Sequence, residues 1–277
     1  MPDWLSLWHA VEDPHYAYSF LTWDGNGNVT FRNEAIDNAW AAWYRYKSLG
    51  WTDSAVAAVV GMQCYECGLN PWRWQNNDTL SHGNYNGRYV ENTHGYGLPQ
   101  FTPEAVYSDP VGSGQPQAII NFFNTNQDFR TSFGPHYSDV TGKVTDGDAQ
   151  CLYINAQCSL VTGIYFRRKI SGNDMHYKYG YMPFADFKSK NVGDYYQSGD
   201  SNSDYPNYYI TLEILIYQWL NNYGRGAQET PTSTAVRLSG ATQLYQLYTG
   251  TTPPTPPVPP TPRRKMPLWM MLRPVNA

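Results

Sequence analysis

The residue whose type and position best suit chemistry is Glu66. The residues around it predict a helix over 53–67, capped by Thr52 and stopped by Gly68 and Pro71. On that helix Glu66 falls seven residues after Val59 and four after Met62, so it shares a face with apolar side chains. It also stands at the helix C-terminal end, where the dipole disfavours negative charge. Both effects raise the pKa of a carboxyl group, which is what a general acid working near neutrality requires. On these residues alone, a solvated glutamate at a fraying helix end fits equally well.

Three other groupings suggest ligand chemistry and lose it on spacing. Cys64-x-x-Cys67 begins as a zinc site would, but Cys151 and Cys158 are seven residues apart, roughly 10 Å along a helix, which suits one tetrahedral ion poorly. The four cysteines therefore read as reduced core thiols. Asp24-x-Asn26-x-Asn28 has the opening of a calcium loop, yet Val29 stands where that loop needs Gly and no Glu occupies its twelfth position. His82 and His94 have no partner at metal-ligand spacing and read as loop residues. No metal and no cofactor are expected.

The elements that must position Glu66 follow from hydrophobic periodicity and turn residues. Phe20–Trp23 and Val29–Phe31 flank a glycine-containing turn and predict a β-hairpin. Asn33 is the expected cap of a helix over 34–48 that Gly50 stops. The 53–67 helix shows a core stripe of Val56, Val59, Val60, Gln63, Cys64 and Cys67. Residues 72–95 read as loops and short strands, where Trp72 and Trp74 pack against the loop or stack on a ligand. Thr102-Pro103-Glu104 opens a further helix, with Glu104 as a helix-start residue. More helix is expected near 115–127, 148–168 and 207–223. The predicted class is α+β, mainly α, with a small β-hairpin region and a Pro-rich C-terminal arm. Residues 251–262 are a proline-threonine tract that predicts a stiff polyproline II spacer. Beyond it, Arg263-Arg264-Lys265 and an apolar run from Leu268 form either a docking peptide or a disordered tail.

Composition narrows the partners. Charged residues are 15% of the 277-residue chain and aromatics 16%, against about 25% charged in ordinary soluble domains. The polar surface must then be built from Asn, Gln, Ser, Thr and Tyr, which suits carbohydrate, although virion and extracellular β-proteins share the bias. The net charge of −4 combines a basic tail with a more acidic body, so nucleic acid is not an expected partner. No apolar run approaches the ~18 residues of a membrane-spanning helix. Met1-Pro2-Asp3-Trp4 does not open a secretion signal.

Glu66-Cys67-Gly68-Leu69-Asn70-Pro71, followed by Gly95-Tyr96-Gly97-Leu98-Pro99-Gln100-Phe101-Thr102-Pro103, resembles the phage tail lysozyme family. That family belongs to the lysozyme-like group, with goose-type lysozymes and lytic transglycosylases. The shared pattern is Gly-x4-Glu-Ser-Gly-x-Asn-Pro, then Gly-x-Gly-Leu-x-Gln-Trp-Thr-Pro, and Gly61 holds its leading position. This chain carries Cys67 for the Ser, Met62 for an Asn and Phe101 for the Trp. None of the three removes a group the chemistry needs, although Cys67 gives up a hydroxyl beside the acid. Met182–Lys188 and the segment ending Trp219–Arg225 also resemble family segments, so the likeness covers about 34–226.

The resemblance implies a lysozyme-like domain that cleaves the β-1,4 bond between N-acetylmuramic acid and N-acetylglucosamine in bacterial peptidoglycan. Glu66 would protonate the leaving oxygen, and Tyr96, Gly97, Leu98 and Gln100 would line the cleft. A second carboxylate would come from Asp78 or Glu91, about 5–5.5 Å from the acid in a retaining enzyme and 6.5–9.5 Å in an inverting one. Asp78 has a rival role as a turn former and Glu91 as a solvated strand residue. With neither, Glu66 alone would serve a lytic transglycosylase that closes a 1,6-anhydro ring. A structural tail protein that kept the fold and lost catalysis is the competing class. The implied organisation is a hairpin extension (1–33), the catalytic domain (34–226), a short connecting segment (227–250) and a Pro-rich linker with a docking peptide (251–277). That last segment would bind another phage tail protein. The implied location is the virion, acting at the host wall, or alternatively the host cytoplasm before holin-dependent release.

Overall fold

The fold was obtained as a computed structural model that describes residues 7–10, 19–71, 73, 83–85, 88–90, 97–99, 143–159, 166, 177–224 and 230–254. Among these, helices dominate and every strand is short, which is the mainly α member of the α+β class.

The chain enters through the expected hairpin, β1 (Leu21–Trp23) paired antiparallel with β2 (Val29–Phe31). Asp24 shapes its turn, accepting the backbone N–H groups of Asn26 and Asn28 and the side-chain amide of Asn28. The Asn28 side chain, with the backbone donors, holds the Asp24 carboxyl below the usual carboxylate range. Helix α1 spans Asn33–Ser48, but Asn33 is its first helical residue and not its cap. Arg32 takes the cap position without a side-chain bond; its own N–H is held by the Phe20 carbonyl and its C=O accepts the first helical donors.

Helix α2 spans Asp53–Glu66, and Thr52 caps it by accepting the Ala55 N–H at 3.2 Å. The Thr52 hydroxyl also donates to the Lys190 carbonyl at 2.6 Å, tying the start of α2 to a later loop. The sequence showed a stripe on this helix, whereas every residue from Ser54 to Cys64 is buried. A helix apolar on all sides must be jacketed on all sides.

The jacket is made by elements from both ends of the chain. After the hairpin β3 (Gly83–Tyr85) and β4 (Arg88–Val90) come α3 (Lys143–Cys158), β5 (Tyr177–Tyr179), α4 (Phe184–Ser189), β6 (Tyr195–Gln197), β7 (Ser203–Tyr205), β8 (Asn207–Tyr209) and α5 (Leu212–Trp219). A π-helical turn, Leu220–Gly224, extends α5, and α6 (Pro231–Thr249) follows. Strands β5 and β7 pair in parallel, and β6 and β8 antiparallel. Helices α1, α5 and α6 all pack on α2, and α3 packs on α1. Trp51, fully buried at the entry to α2, meets the rings of Tyr46, Phe184, Phe187 and Trp219 and donates its indole N–H to Asn155 at 2.9 Å.

Three expectations shift. The helix placed near 148–168 runs over 143–158. The apolar stretch placed as helix over 207–223 begins as a strand, because the Tyr208 hydroxyl is held by the Gly180 carbonyl and the Thr211 cap, accepting the Ile214 N–H, starts the helix later. The segment 227–250, expected as a connection, contains α6, the longest described helix at 19 residues. Its side-chain pattern hides it: the buried positions are Ser233, Val236, Arg237, Gly240, Ala241 and Leu244, mostly small or polar. The helices expected after Thr102 and near 115–127 lie outside the described residues, as does the arm from 255 onward.

Candidate functional site

Glu66 is the last residue of α2, and its side chain keeps 27% of its surface exposed. Arg237 Nη2 on α6 donates to its Oε1 at 2.8 Å, from a side chain only 6% exposed. The same guanidinium lies over the ring of Tyr65, 4.6 Å from its centroid. The face that the sequence presented as apolar therefore holds a cation. A second arginine, Arg73, lies within electrostatic reach of Cys67, Glu66 and Tyr65, and burial pulls its guanidinium below the ordinary arginine pKa.

Small residues bring Arg237 there. A Cβ on Gly61 would stand 2.6 Å from Ala241 Cβ and 2.7 Å from the Arg237 carbonyl oxygen, and a Cβ on Gly240 would stand 2.7 Å from Cys64 Sγ. Helices α2 and α6 thus approach at backbone distance, and the leading glycine of the motif serves this crossing. The hairpin fixes the same helix: Val29 donates to Ser239 Oγ at 3.1 Å, and Gln243 donates to the Val29 carbonyl at 3.0 Å.

The chain then turns sharply away from the acid. Cys67 closes α2, with both its N–H and its Sγ directed at the Gln63 carbonyl, at 3.1 and 3.2 Å. Burial pushes its thiol up to about 12. Gly68 and Leu69 follow in left-handed conformations, φ +58° and +57°. For a leucine this costs on the order of 1–3 kcal/mol and persists only where the surroundings enforce it. Here Asn38 of α1 donates to the Leu69 carbonyl at 2.7 Å, and Phe20 donates to the Gly68 carbonyl at 3.0 Å.

Gln150, fully buried on α3, joins the two halves of the motif. Its amide donates to the Pro71 carbonyl at 2.8 Å, and its Oε1 accepts the Leu98 N–H at 2.8 Å. Gly97, at φ +77°, donates to the Arg73 carbonyl at 3.0 Å, and a Cβ there would run into Gln150 Oε1. The turn after Glu66 and the turn at Gly97 are therefore one unit.

Of the residues singled out for function, Glu66, Gly97 and Leu98 fall within the described residues, and Leu98 is completely buried. Asp78, Glu91, Tyr96 and Gln100 lie outside them, as do Trp72, Trp74, His82, His94, Phe101 and Glu104. Sequence reasoning missed Arg237, Arg73, Asn38 and Gln150. Thr230-Pro231 and Gly250 mark the ends of α6 and signal the helix, but nothing local signals where Arg237 points. Gln150 carries no signal at all. The four cysteines are buried free thiols. Among the described residues there is no group of three or more metal-ligating side chains, and no helix is long and apolar enough to cross a membrane.

Residues 37–158 match the family model described as phage tail lysozyme. No curated protein matches the chain. The matched stretch runs from α1 through α3 and so contains Glu66, the left-handed turn after it and Gln150, whereas the first hairpin and α6 lie beyond it. By this match the stretch from α1 to α3 belongs to the phage tail lysozyme family, a phage lysozyme-like family of proteins that act on peptidoglycan.

Proposed function

We propose that this chain is a tail-associated glycoside hydrolase that cleaves the β-1,4 bond between N-acetylmuramic acid and N-acetylglucosamine, with Glu66 as its general acid. The observation that carries the reading is the place of Glu66: a part-exposed carboxyl at the end of a helix buried on all sides, inside the matched stretch. A fixed helix end gives the carboxyl a defined position, which proton transfer in the transition state requires. The Arg237 N–H on Oε1 orients the group further. Glu66 gives its proton to the leaving glycosidic oxygen. Asp78 or Glu91, from the segment between the motif halves, is the second carboxylate, acting as nucleophile or as base for water. Tyr96, Gly97 and Gln100 border the cleft, while Leu98, completely buried with its N–H on Gln150, supports that border from beneath. The catalytic lobe covers 34–226, and the arm from 251 onward docks the protein to another tail protein in the virion.

The test is digestion of purified peptidoglycan by the wild type and by Glu66→Gln, with mass spectrometry of the released muropeptides. Reducing muramic ends, lost in the variant, support the hydrolase and make Asp78→Asn and Glu91→Gln the next variants. Anhydro-muramic ends make the protein a lytic transglycosylase that uses Glu66 alone. Equal release by wild type and Glu66→Gln refutes the role of Glu66, and no release from host walls leaves a structural tail protein on this fold.

A further inference from the structure

We infer that Trp23 and Tyr65 form a pyranose-stacking subsite for the glycan strand, built by the N-terminal hairpin beside Glu66; this rests on the peptidoglycan reading above. Trp23 ends β1 with 37% of its surface exposed, one of three exposed large hydrophobic residues among the described ones. Its ring centroid lies 5.8 Å from that of Tyr65, at 37° between planes. Tyr65 directly precedes Glu66 and carries the Arg237 guanidinium on its face, and Arg237 is bonded to Glu66. Ring, ring, cation and carboxylate therefore form one unbroken run, so a sugar lying on Trp23 adjoins the acid.

The chemistry of these groups selects the ligand. A pyranose has a C–H face that an electron-rich ring covers, and hydroxyls at its edge that stay in water, so an amphipathic, part-exposed indole suits it. The platform is also rigid. Trp23 pairs with Val29, whose N–H and C=O are both tied to α6, so little conformational freedom remains to be lost on binding. The other two exposed hydrophobics serve as comparisons. Tyr195, 45% exposed, packs at a tilt against Tyr209 across β6 and β8, and Leu247, 50% exposed, is an aliphatic residue near the end of α6. Trp23 lies outside the matched stretch and Tyr65 inside it, so the hairpin's half of the subsite is a feature of this chain and not of the shared motif.

Binding and turnover test it separately. In the full chain carrying Glu66→Gln, binding is measured to sedimented peptidoglycan sacculi and to a soluble N-acetylglucosamine trimer. Adding Trp23→Ala weakens both about 8-fold, the effect of losing about 50 Å² of apolar burial, or about 1.2 kcal/mol. Trp23→Phe, which keeps a smaller ring, recovers part of the loss, while Tyr195→Ala and Leu247→Ala bind as the parent does. In the otherwise wild-type chain, Trp23→Ala raises KM on sacculi and leaves kcat in place. Trp23→Ala binding as tightly as the parent overturns the inference, as does an equal loss in Tyr195→Ala, or a parent that binds neither probe. Should Trp23→Ala fail to fold, Trp23→Phe with unchanged affinity overturns it as well. Loss of catalysis in every arm with Trp23-dependent binding retained would instead refute the hydrolase reading alone.

Discussion

Gly61→Ala reverses the sign of a general rule, and that makes it a demanding test of the α2–α6 crossing. In an exposed helix interior, replacing Gly by Ala stabilises by about 1 kcal/mol. At Gly61 the new Cβ would stand 2.6 Å from Ala241 Cβ, 2.7 Å from the Arg237 oxygen and 2.9 Å from the Ala241 nitrogen. Non-bonded carbons rest about 3.5–4.0 Å apart, so α6 must retreat by roughly 1 Å. Two of the three obstructing atoms are backbone, and no rotamer relieves them. Inserting a methyl group into such a contact costs about 1–3 kcal/mol, and three short contacts on one atom place Gly61 near the top of that range. Subtracting the helix gain leaves a net loss of about 2 kcal/mol, or roughly 4–8 °C in Tm for a protein near this size.

The assay is a urea and thermal melt of Gly61→Ala beside wild type, followed by circular dichroism. Gly61→Ala/Ala241→Gly adds a second condition: it removes the Cβ clash and leaves the two backbone clashes, so it recovers only part of the loss. Because the Arg237 carbonyl is among the displaced atoms, wall digestion falls in the same variant. A Gly61→Ala protein as stable as wild type, or more so, would refute the close crossing and with it this explanation of how Arg237 reaches Glu66.

Three further outcomes follow from the site. Arg237→Met keeps most of the side-chain volume and removes the donor on Glu66; a hydrogen bond to a charged group is worth about 1.5–3 kcal/mol, less where water screens it, so initial rates of muropeptide release fall about tenfold, and an unchanged rate refutes the orienting role. Gln150→Leu leaves the Leu98 N–H and the Pro71 C=O buried without their partner, at about 1–3 kcal/mol each; its urea midpoint drops accordingly, Gln150→Glu drops it too because a buried carboxylate would face the Pro71 oxygen with no proton to donate, and a wild-type midpoint in either variant refutes the two-sided clip. Cys67 has its folded pKa raised from the ordinary 9.0 to about 12 by burial, so its contribution to stability is complete below pH 9 and fades as pH rises toward 12; burial raises Cys64, Cys151 and Cys158 likewise, and a urea midpoint that stays constant from pH 8 to 11 contradicts this.

Where local chemistry decides the structure, the sequence was enough. Thr52 caps α2, and the Asp24–Asn28 turn closes the hairpin, because each act involves only neighbours in the chain. The motif that marks Glu66 is legible for the same reason: it lies on one helix end and one turn. What was hidden depends on contacts distant in sequence. Arg237 is 171 residues from Glu66, and Gln150 is 79 from Pro71 and 52 from Leu98. Helix α6 escaped because its buried face is made of Ser233, Gly240 and Ala241, where a close crossing needs small residues and hydrophobic periodicity looks for large ones. Asn33 was misplaced as a cap by one residue, since an Asx residue in the first turn resembles one at the cap itself.

The same crossing decides where the folding unit ends. The family model stops at 158, yet α2 has no free face on which α6 is optional. Cutting the chain after 226 would uncover Gly61 and Cys64, which α6 contacts through Ala241 and Gly240. It would also remove the buried Val236, Ala241 and Leu244 and the cation on Glu66. Burying one large aliphatic side chain is worth about 1.5–3 kcal/mol, so losing Val236 and Leu244 alone removes several kcal/mol from a total that for most domains is about 5–15. A chain ending at 226 should therefore be poorly soluble or fail to melt cooperatively, while one ending at 254, with α6 and its Gly250 terminus intact, should melt as the full chain does. Size-exclusion chromatography and thermal melts of the two decide the matter. A cooperative, wild-type-like melt of the shorter chain would show that α6 is an accessory laid on a self-sufficient lobe, and that Glu66 keeps its place without Arg237.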